Sequence, residues 1–330
     1  MTEPATAKAI DRLSDDWKLD EAEELGRRAV REFPDDPARW IALGKVQLIQ
    51  YRREAALESF ERAVHCPEAP ALAVAWQVAA LSRLRRFEAA EKAAEAGLAR
   101  FPDDAEILHA RARVCCDQED WAGALPLFEQ ALAADPGRVD TKHWQVLTLA
   151  SLKRFDEAEE AGLRAIDEHP GDPQPLATMG WMEGERDREE EALAWHERAL
   201  EVDPRNEWAL RLRVNRLSCL GRSDEAEAAV KAAIELRPRE PRLWLARGWV
   251  DEQRDRGEEA LTWYERALEI APRYGGTLWW RVRRLRLLER FDDAETALRE
   301  ALEIRLDDPD LLTEGGALAE DQSRLEEALD

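Results

Sequence analysis

The chain has 330 residues, a formal net charge of −23 and 36% charged residues, yet 45% of it is hydrophobic. The apolar fraction excludes a disordered chain, the lack of an uncharged apolar run near ~18 residues excludes a helical membrane span, and net acidity disfavours nucleic acid or anionic membranes as partners. Glu3, Asp11, Asp15 and Asp16 stand where a leader's apolar core would be, and Cys66, Cys115, Cys116 and Cys219 form neither a C-x-x-C pair nor a disulfide framework, which points to the cytoplasm.

Self-similarity organises everything that follows. Prolines recur at Pro34, Pro102, Pro136, Pro170, Pro204, Pro238 and Pro272, 34 residues apart except for one double step in which Pro67 stands a residue early. Twelve residues before each proline is an alanine, in a column that runs Ala22, Ala56, Ala90, Ala124, Ala158, Ala192, Ala226, Ala260, Ala294 and Ala328. Seven residues further on runs a second small column, from Ala29 to Ala301, with Gly97 as its glycine. Repeats therefore open near residues 3, 37, 71, 105, 139, 173, 207, 241 and 275, with a partial tenth near 309, and each is predicted to form two amphipathic helices.

Asp36-Pro37, Asp172-Pro173 and Asp308-Pro309 predict first-helix starts, a cap followed by proline at the position where its missing N–H is harmless. In the second helix of the fifth repeat, Ala158, Ala161, Leu163, Ala165 and Ile166 recur near the helical period. Asp156 with Glu159 predicts its capped start, as Asp20, Asp224 and Asp292 do in their repeats, and Pro170 ends it. From Pro309 to Asp330 the pattern supplies one helix and the opening of its partner, so Ala328 reaches a close-contact column without the polar closing element that a repeat stack needs. This predicts either a further C-terminal segment or a short natural cap, and leaves self-association through the terminal repeat open.

A second period of 68 overlies the first. One first-helix column alternates small and larger: Gly44, Val78, Ala112, Val146, Gly180, Val214, Gly248, Val282, Gly316. A second-helix column alternates in the opposite sense, with Gly26, Ala94, Gly162, Val230 and Leu298 against the larger Phe60, Phe128, His196 and Tyr264. If the two columns face each other, each repeat keeps its summed volume while exchanging which helix supplies the bulk. Trp76, Trp144 and Trp280, like Trp195 and Trp263, follow the same spacing.

The period, the two small columns, the aromatics Phe60, Phe128 and Tyr264 between them and the closing proline resemble tetratricopeptide repeats, most closely in ALAWHERALEVDP from Ala192 and ALTWYERALEIAP from Ala260. The resemblance implies an all-α fold, a right-handed superhelical solenoid of antiparallel helix pairs running as one domain over 1–330. It also implies a scaffold for other proteins, commonly one that grips a peptide in a concave groove.

Catalytic signatures are absent: there is no Gly-rich phosphate loop, no G-x-S-x-G and no H-E-x-x-H, so no enzyme activity and no cofactor are expected. His109 and His143, one period apart, with Cys116 seven residues after His109, make a three-ligand zinc site geometrically conceivable, groove-lining histidines being the ordinary alternative. Charge placement says more. The first-helix halves of repeats two to nine sum to +13, leaving −36 for the remainder of the −23 chain. With first helices lining the groove, as the resemblance implies, an acidic solenoid would carry a basic inner wall that steers an acidic partner. The competing reading is that these arginines pair with carboxylates of neighbouring helices.

The candidate peptide-binding residues are Arg211, Asn215, Trp249, Trp279, Arg283 and Arg286, together with Trp181, His143 and Arg113. Arg211 and Asn215 are four apart and share a face, with Trp181 and Trp249 in the Asn215 place of the flanking even repeats and Arg283 in that place of the ninth. This resembles, imperfectly, the carboxylate clamp of some tetratricopeptide domains: Arg211 replaces its lysine, Trp249 stands in the middle repeat and a second asparagine is missing. A forked guanidinium still suits a carboxylate, and an indole face suits an arginine or an apolar anchor. The sequence thus points to a non-catalytic, cytoplasmic interaction scaffold for an extended acidic or carboxylate-ended peptide. Competing readings are the substrate-recruiting arm of a larger enzyme whose catalytic domain follows residue 330, and a self-assembling homo-oligomeric scaffold. Single-stranded nucleic acid in the basic groove is disfavoured by the net charge, and the excess of arginine over lysine suggests a GC-rich bacterial genome.

Overall fold

The structure, a computed structural model, describes residues 6–15, 18–304 and 308–329, with side chains at all of these but 15 and 324–329. The opening of the first repeat near residue 3 and the side chain of Ala328 lie outside that description. Among the described residues, nineteen helices form two compact units that divide between Val202 and Asp203. The first unit contains α1 (Ala7–Asp15), α2 (Leu19–Glu32), α3 (Pro37–Ile49), α4 (Arg53–Val64), α5 (Ala71–Arg83), α6 (Phe87–Arg100), α7 (Ala105–Asp117), α8 (Trp121–Ala134), α9 (Val139–Ser151), α10 (Phe155–Glu168), α11 (Pro173–Glu185) and α12 (Glu189–Val202). The second contains α13 (Glu207–Cys219), α14 (Ser223–Leu236), α15 (Pro241–Glu252), α16 (Gly257–Ile270), α17 (Gly275–Leu287), α18 (Phe291–Ile304) and α19 (Pro309–Leu329). Within each unit a first helix packs on its own second helix, and second helices pack on the next repeat's first helix.

First helices start where the sequence predicts. The carboxylates of Asp36, Asp104 and Asp172 accept backbone N–H bonds from Ala38 at 3.0 Å, Glu106 at 3.0 Å and Gln174 at 2.8 Å, satisfying donors the helix leaves free. Second helices start differently from the expectation. Their N-caps are Lys18 for α2, Arg154 for α10 and Arg222 for α14, none with a side-chain cap, so Asp20, Asp156 and Asp224 lie inside the first turn. There they act through the helix dipole. The start is dictated by the turn that precedes it. Tyr51, Arg85, Glu119, Lys153, Asp187, Gly221, Asp255 and Glu289 hold φ between 56° and 70°, and the next residue's N–H returns to a carbonyl of the first helix, as Arg154 does to Leu149 at 2.9 Å. This Schellman closure fixes where each second helix begins.

The small columns are the seams of the stack. Ala22, Ala56, Ala90, Ala124, Ala158, Ala192, Ala226, Ala260 and Ala294 are all 0% exposed, which lets helix axes approach closely. The alternating columns do face each other. A Cβ on Gly44 would lie 2.4 Å from the Phe60 ring, one on Gly180 2.4 Å from His196, and one on Gly248 2.2 Å from Tyr264. In the opposite phase, a Cβ on Gly26 would meet Leu43 at 3.0 Å and one on Gly162 would meet Met179 at 2.2 Å, both from the following repeat's first helix. Bulk is therefore exchanged between repeats as well as within them.

At the C-terminal side the expectation of one helix plus the opening of another is corrected: α19 runs unbroken from Pro309 to Leu329. No glycine or proline interrupts Ala317–Leu329, and Ser323, at the place where other repeats turn, donates its hydroxyl to Ala319 within the helix at 3.0 Å.

Candidate functional site: cations on indoles along the first helices

In the first unit, one first-helix column reads Lys45 on α3, Ala79 on α5 and Arg113 on α7. Two of its members rest on tryptophans of the next repeat: the Lys45 ammonium lies 5.6 Å from the Trp76 ring centroid, and the Arg113 guanidinium lies 3.5 Å over that of Trp144 on α9. Between them, where Ala79 is short, opens a recess of about 160 Å³ whose apolar lining includes Leu72, Ala75, Trp76 and Ala110.

Arg113 has no hydrogen-bonded carboxylate among the described residues, and its Nε is buried without a partner. Burial lowers its pKa and the nearby Arg83 guanidinium adds to that, against the pull of Asp117 and Asp140. Those carboxylates are already engaged. Asp117 accepts the Ser82 hydroxyl at 2.6 Å, Asp140 lies 3.1 Å from His109 Nε2, and Glu106 is paired with Arg138. Burial alone would raise the Asp140 pKa, but the hydrogen bond with His109 and the surrounding positive charge hold it below the ordinary value.

His143 sits behind this surface, 9% exposed, with Nδ1 2.7 Å from the Thr178 hydroxyl and its ring edge-on to Trp144. Burial pushes its pKa down to about 4, with Arg113 and His109 adding to the effect and Asp140 opposing it. His109 Nδ1 lies 3.0 Å from the Thr141 hydroxyl. Cys116 contacts Thr148 instead, and burial pushes its thiol up to about 11. The histidines and the cysteine thus have separate threonine partners, and no cluster able to hold a metal is present among the described residues.

In the second unit, Trp279 and Trp280 meet edge to face at 4.8 Å, and the Arg283 guanidinium lies 4.9 and 5.3 Å from their centroids with no carboxylate bonded to it among the described residues. The other arginines of α17 are committed: Arg286 to Glu314 at 2.6 Å and to Asp321, Arg281 to Glu300 at 2.9 Å, and Arg284 to Glu252. Arg211 lies 3.6 Å from Glu207 on its own helix, while Asn215 and Trp249 are half-buried on α13 and α15. Arg247, Arg254 and Arg256 converge on Glu227 of α14. Pairing with neighbouring carboxylates therefore accounts for much of the first-helix positive charge, and Arg113 and Arg283 stand apart from it. Trp181, in the first unit, is half-buried against the cluster that contains Met179 and Met182.

The sequence pattern places Trp76 in the 68-residue spacing but does not single out Lys45 or Ala79. The signal was available: Lys45 to Trp76 and Arg113 to Trp144 are the same 31-residue step, repeated 68 residues on.

No helix among the described residues is long and apolar enough to cross a membrane. The family profile described as "Tetratricopeptide repeat" matches residues 77–139, 110–173 and 213–274. The chain is 22% identical over 172 residues to Protein O-mannosyl-transferase TMTC1 of Homo sapiens, covering 51% of this chain and 20% of that protein. It is 29% identical over 134 residues to TPR repeat-containing protein PA4667 of Pseudomonas aeruginosa, covering 40% and 23%. The chain thus spans about a fifth of the length of these curated relatives. In fold it is similar to the crystal structure of yeast Tom70, with a TM-score of 0.61 at 14% identity over 89% of this chain and 61% of that one. With its helix pairs, buried alanine seams and matching profile, the chain is a tetratricopeptide repeat protein, an all-α helical-repeat fold of the kind that serves protein–protein interaction.

Proposed function

We propose that the protein is a non-catalytic interaction scaffold whose first helices bind an extended acidic or carboxylate-bearing segment of another protein. The observation that carries this reading is the two guanidiniums, Arg113 over Trp144 in the first unit and Arg283 beside Trp279 and Trp280 in the second, that have indole contacts but no bonded carboxylate among the described residues. An arginine fixed on an aromatic face keeps its fork free for a planar anion while losing little side-chain entropy on binding. Half-buried Trp181 in the first unit and Asn215 and Trp249 in the second offer supporting surface, whereas His143, buried behind Trp144, stays out of contact with a partner. Arg211 and Arg286 contribute only if a partner displaces Glu207 or Glu314 and Asp321.

The test is capture of labelled acidic peptides by the full chain, read by fluorescence anisotropy. The wild type should bind with an affinity that falls as salt is added, and Arg113→Gln combined with Arg283→Gln should weaken it at least ~10-fold while circular dichroism stays helical. Equal binding by the double variant refutes the reading. A second reading, that the repeats recruit substrate for an attached catalytic domain, draws support from the transferase named among the relatives, and the native reading frame beyond residue 330 decides it.

A further inference from the structure

The first unit carries a more specific arrangement than a basic surface. Lys45 on Trp76 and Arg113 on Trp144 are two equivalent cation–indole steps, and the recess lies between them because the column they share is interrupted by Ala79. Trp76 belongs to both features, as the platform under Lys45 and as one wall of the recess. The recess is apolar along most of α5, and Arg83 at the end of that helix shares the charged rim with Arg113, Arg138, Glu106, Asp117 and Asp140. Asp117 and Asp140 are bonded to Ser82 and His109, and no carboxylate among the described residues is hydrogen-bonded to Arg113, so its fork keeps donors for an incoming anion. Lys45 is nearly as available: among the described residues its ion pair is to half-buried Asp11 and is 3.8 Å long.

We infer that this recess takes a single apolar side chain from an extended partner segment, with an acidic residue on each side of it, one carboxylate meeting Lys45 on Trp76 and the other meeting Arg113 on Trp144. The inference rests on the scaffold reading and gives it a partner chemistry. The order of features favours a segment that passes through over a chain end. A terminal carboxylate would occupy one cation and stop, whereas the apolar recess has a cation–indole step on both sides. About 160 Å³ holds a leucine-sized side chain, and its burial against Leu72, Ala75 and Trp76 supplies the apolar share of affinity while the flanking charges set register.

Four blocked or free-ended peptides test this by anisotropy with the full chain: acetyl-Ser-Glu-Asp-Leu-Asp-Glu-Ser-amide; the same with serine replacing leucine; the same with amides replacing the acids; and a peptide ending in a free leucine carboxylate. The first should bind, each replacement should weaken binding at least ~10-fold, and the free-ended peptide should bind more weakly than the first. Arg113→Gln should cost a similar factor, and so should Ala79→Leu, which fills the recess from a helical, half-buried position and leaves every charged residue in place. Arg164→Gln, on the exposed face of α10, should leave this peptide's affinity unchanged. If acidic peptides bind but Arg283→Gln removes binding while Arg113→Gln and Ala79→Leu do not, the recess is overturned and the scaffold reading stands. Tighter binding of the free-ended peptide likewise overturns the recess in favour of a chain-end site. If no acidic peptide binds, both fall.

Discussion

The exchange of bulk between facing columns predicts a coupling that a stack of independent helices would not show. At Gly44, a Cβ would stand 2.4, 2.7 and 2.8 Å from three atoms of the Phe60 ring, which is 0% exposed and stacked on Trp76. Gly44→Val must displace that ring and should cost about 1–3 kcal/mol, at the upper end because the ring has no free volume to enter. Phe60→Ala alone opens a cavity and should cost about 3–5 kcal/mol. One repeat later the same two positions hold Val78 and Ala94, both 0% exposed, so the double variant rebuilds a pair the chain already uses. The double variant should therefore be less destabilised than the two single costs together, by at least about 2 kcal/mol. Urea unfolding of the four proteins, followed by far-ultraviolet circular dichroism, measures the cycle. Costs that add to within about 0.5 kcal/mol would refute the facing-column account.

Three further outcomes follow from buried or strained groups. Burial first, and then Glu207, raise the Glu240 pKa from 4.5 to about 7, so its stabilising contribution is present below pH 4.5 and is lost as pH rises through 7; Glu240→Gln should be more stable than wild type by about 3 kcal/mol at pH 8 and equal to it below 4.5, as urea titrations at the two pH values will show. His143 has the opposite sign: its folded pKa falls from 6.5 to about 4, so stability is present above 6.5 and declines by about 3 kcal/mol as pH drops to 4, a slope that His143→Gln should abolish in the same assay. Gly221, at φ 70°, is the one glycine among the left-handed turn residues, and Gly221→Ala should lower unfolding free energy by about 1 kcal/mol without changing the circular dichroism spectrum.

Which features were legible in the sequence follows from which ones need a particular residue type. Alanine at a seam is a steric requirement, so the column Ala22 to Ala294 announces the helix pairs and the 34-residue period without reference to any contact. The turns between paired helices are different. They need a left-handed backbone, yet among the described residues seven of eight such turns are filled by Tyr51, Arg85, Glu119, Lys153, Asp187, Asp255 and Glu289, so the usual glycine signal is missing and the sequence pattern puts second-helix starts a residue or two late. The Schellman bond from the following N–H holds these residues in place, and a backbone hydrogen bond leaves no mark on composition. For the site, the sequence named Arg113 and Arg286 together, as arginines of first helices. What separates them is the engagement of their neighbours: Glu314 and Asp321 of α19 reach Arg286, while Asp117 and Asp140 near Arg113 are held by Ser82 and His109. Spacing ranks arginines by face, not by which carboxylate reaches them first.

The 68-residue period ties packing and recognition in the first unit to one cause. Alternation inside the stack lets Gly44 admit the Phe60 ring, and that ring is the surface on which Trp76 stacks at 5.6 Å. Trp76 in turn carries Lys45 and walls the recess left by Ala79. Two repeats on, Ala112 stands where Gly44 did, Phe128 stands where Phe60 did, and Trp144 again supports a cation, Arg113. A small residue in the first helix, a ring in the second and an indole on the next repeat are thus a single mechanical chain from interior to surface. Complementary packing in alternate repeats spaces the indoles, and the cation column, which runs Lys45, Arg113, Trp181 and Trp249, turns the first two of those places into cation–indole steps. An extended ligand with its charges in matching alternation would then be read by the periodicity of the core, with no separate recognition loop needed.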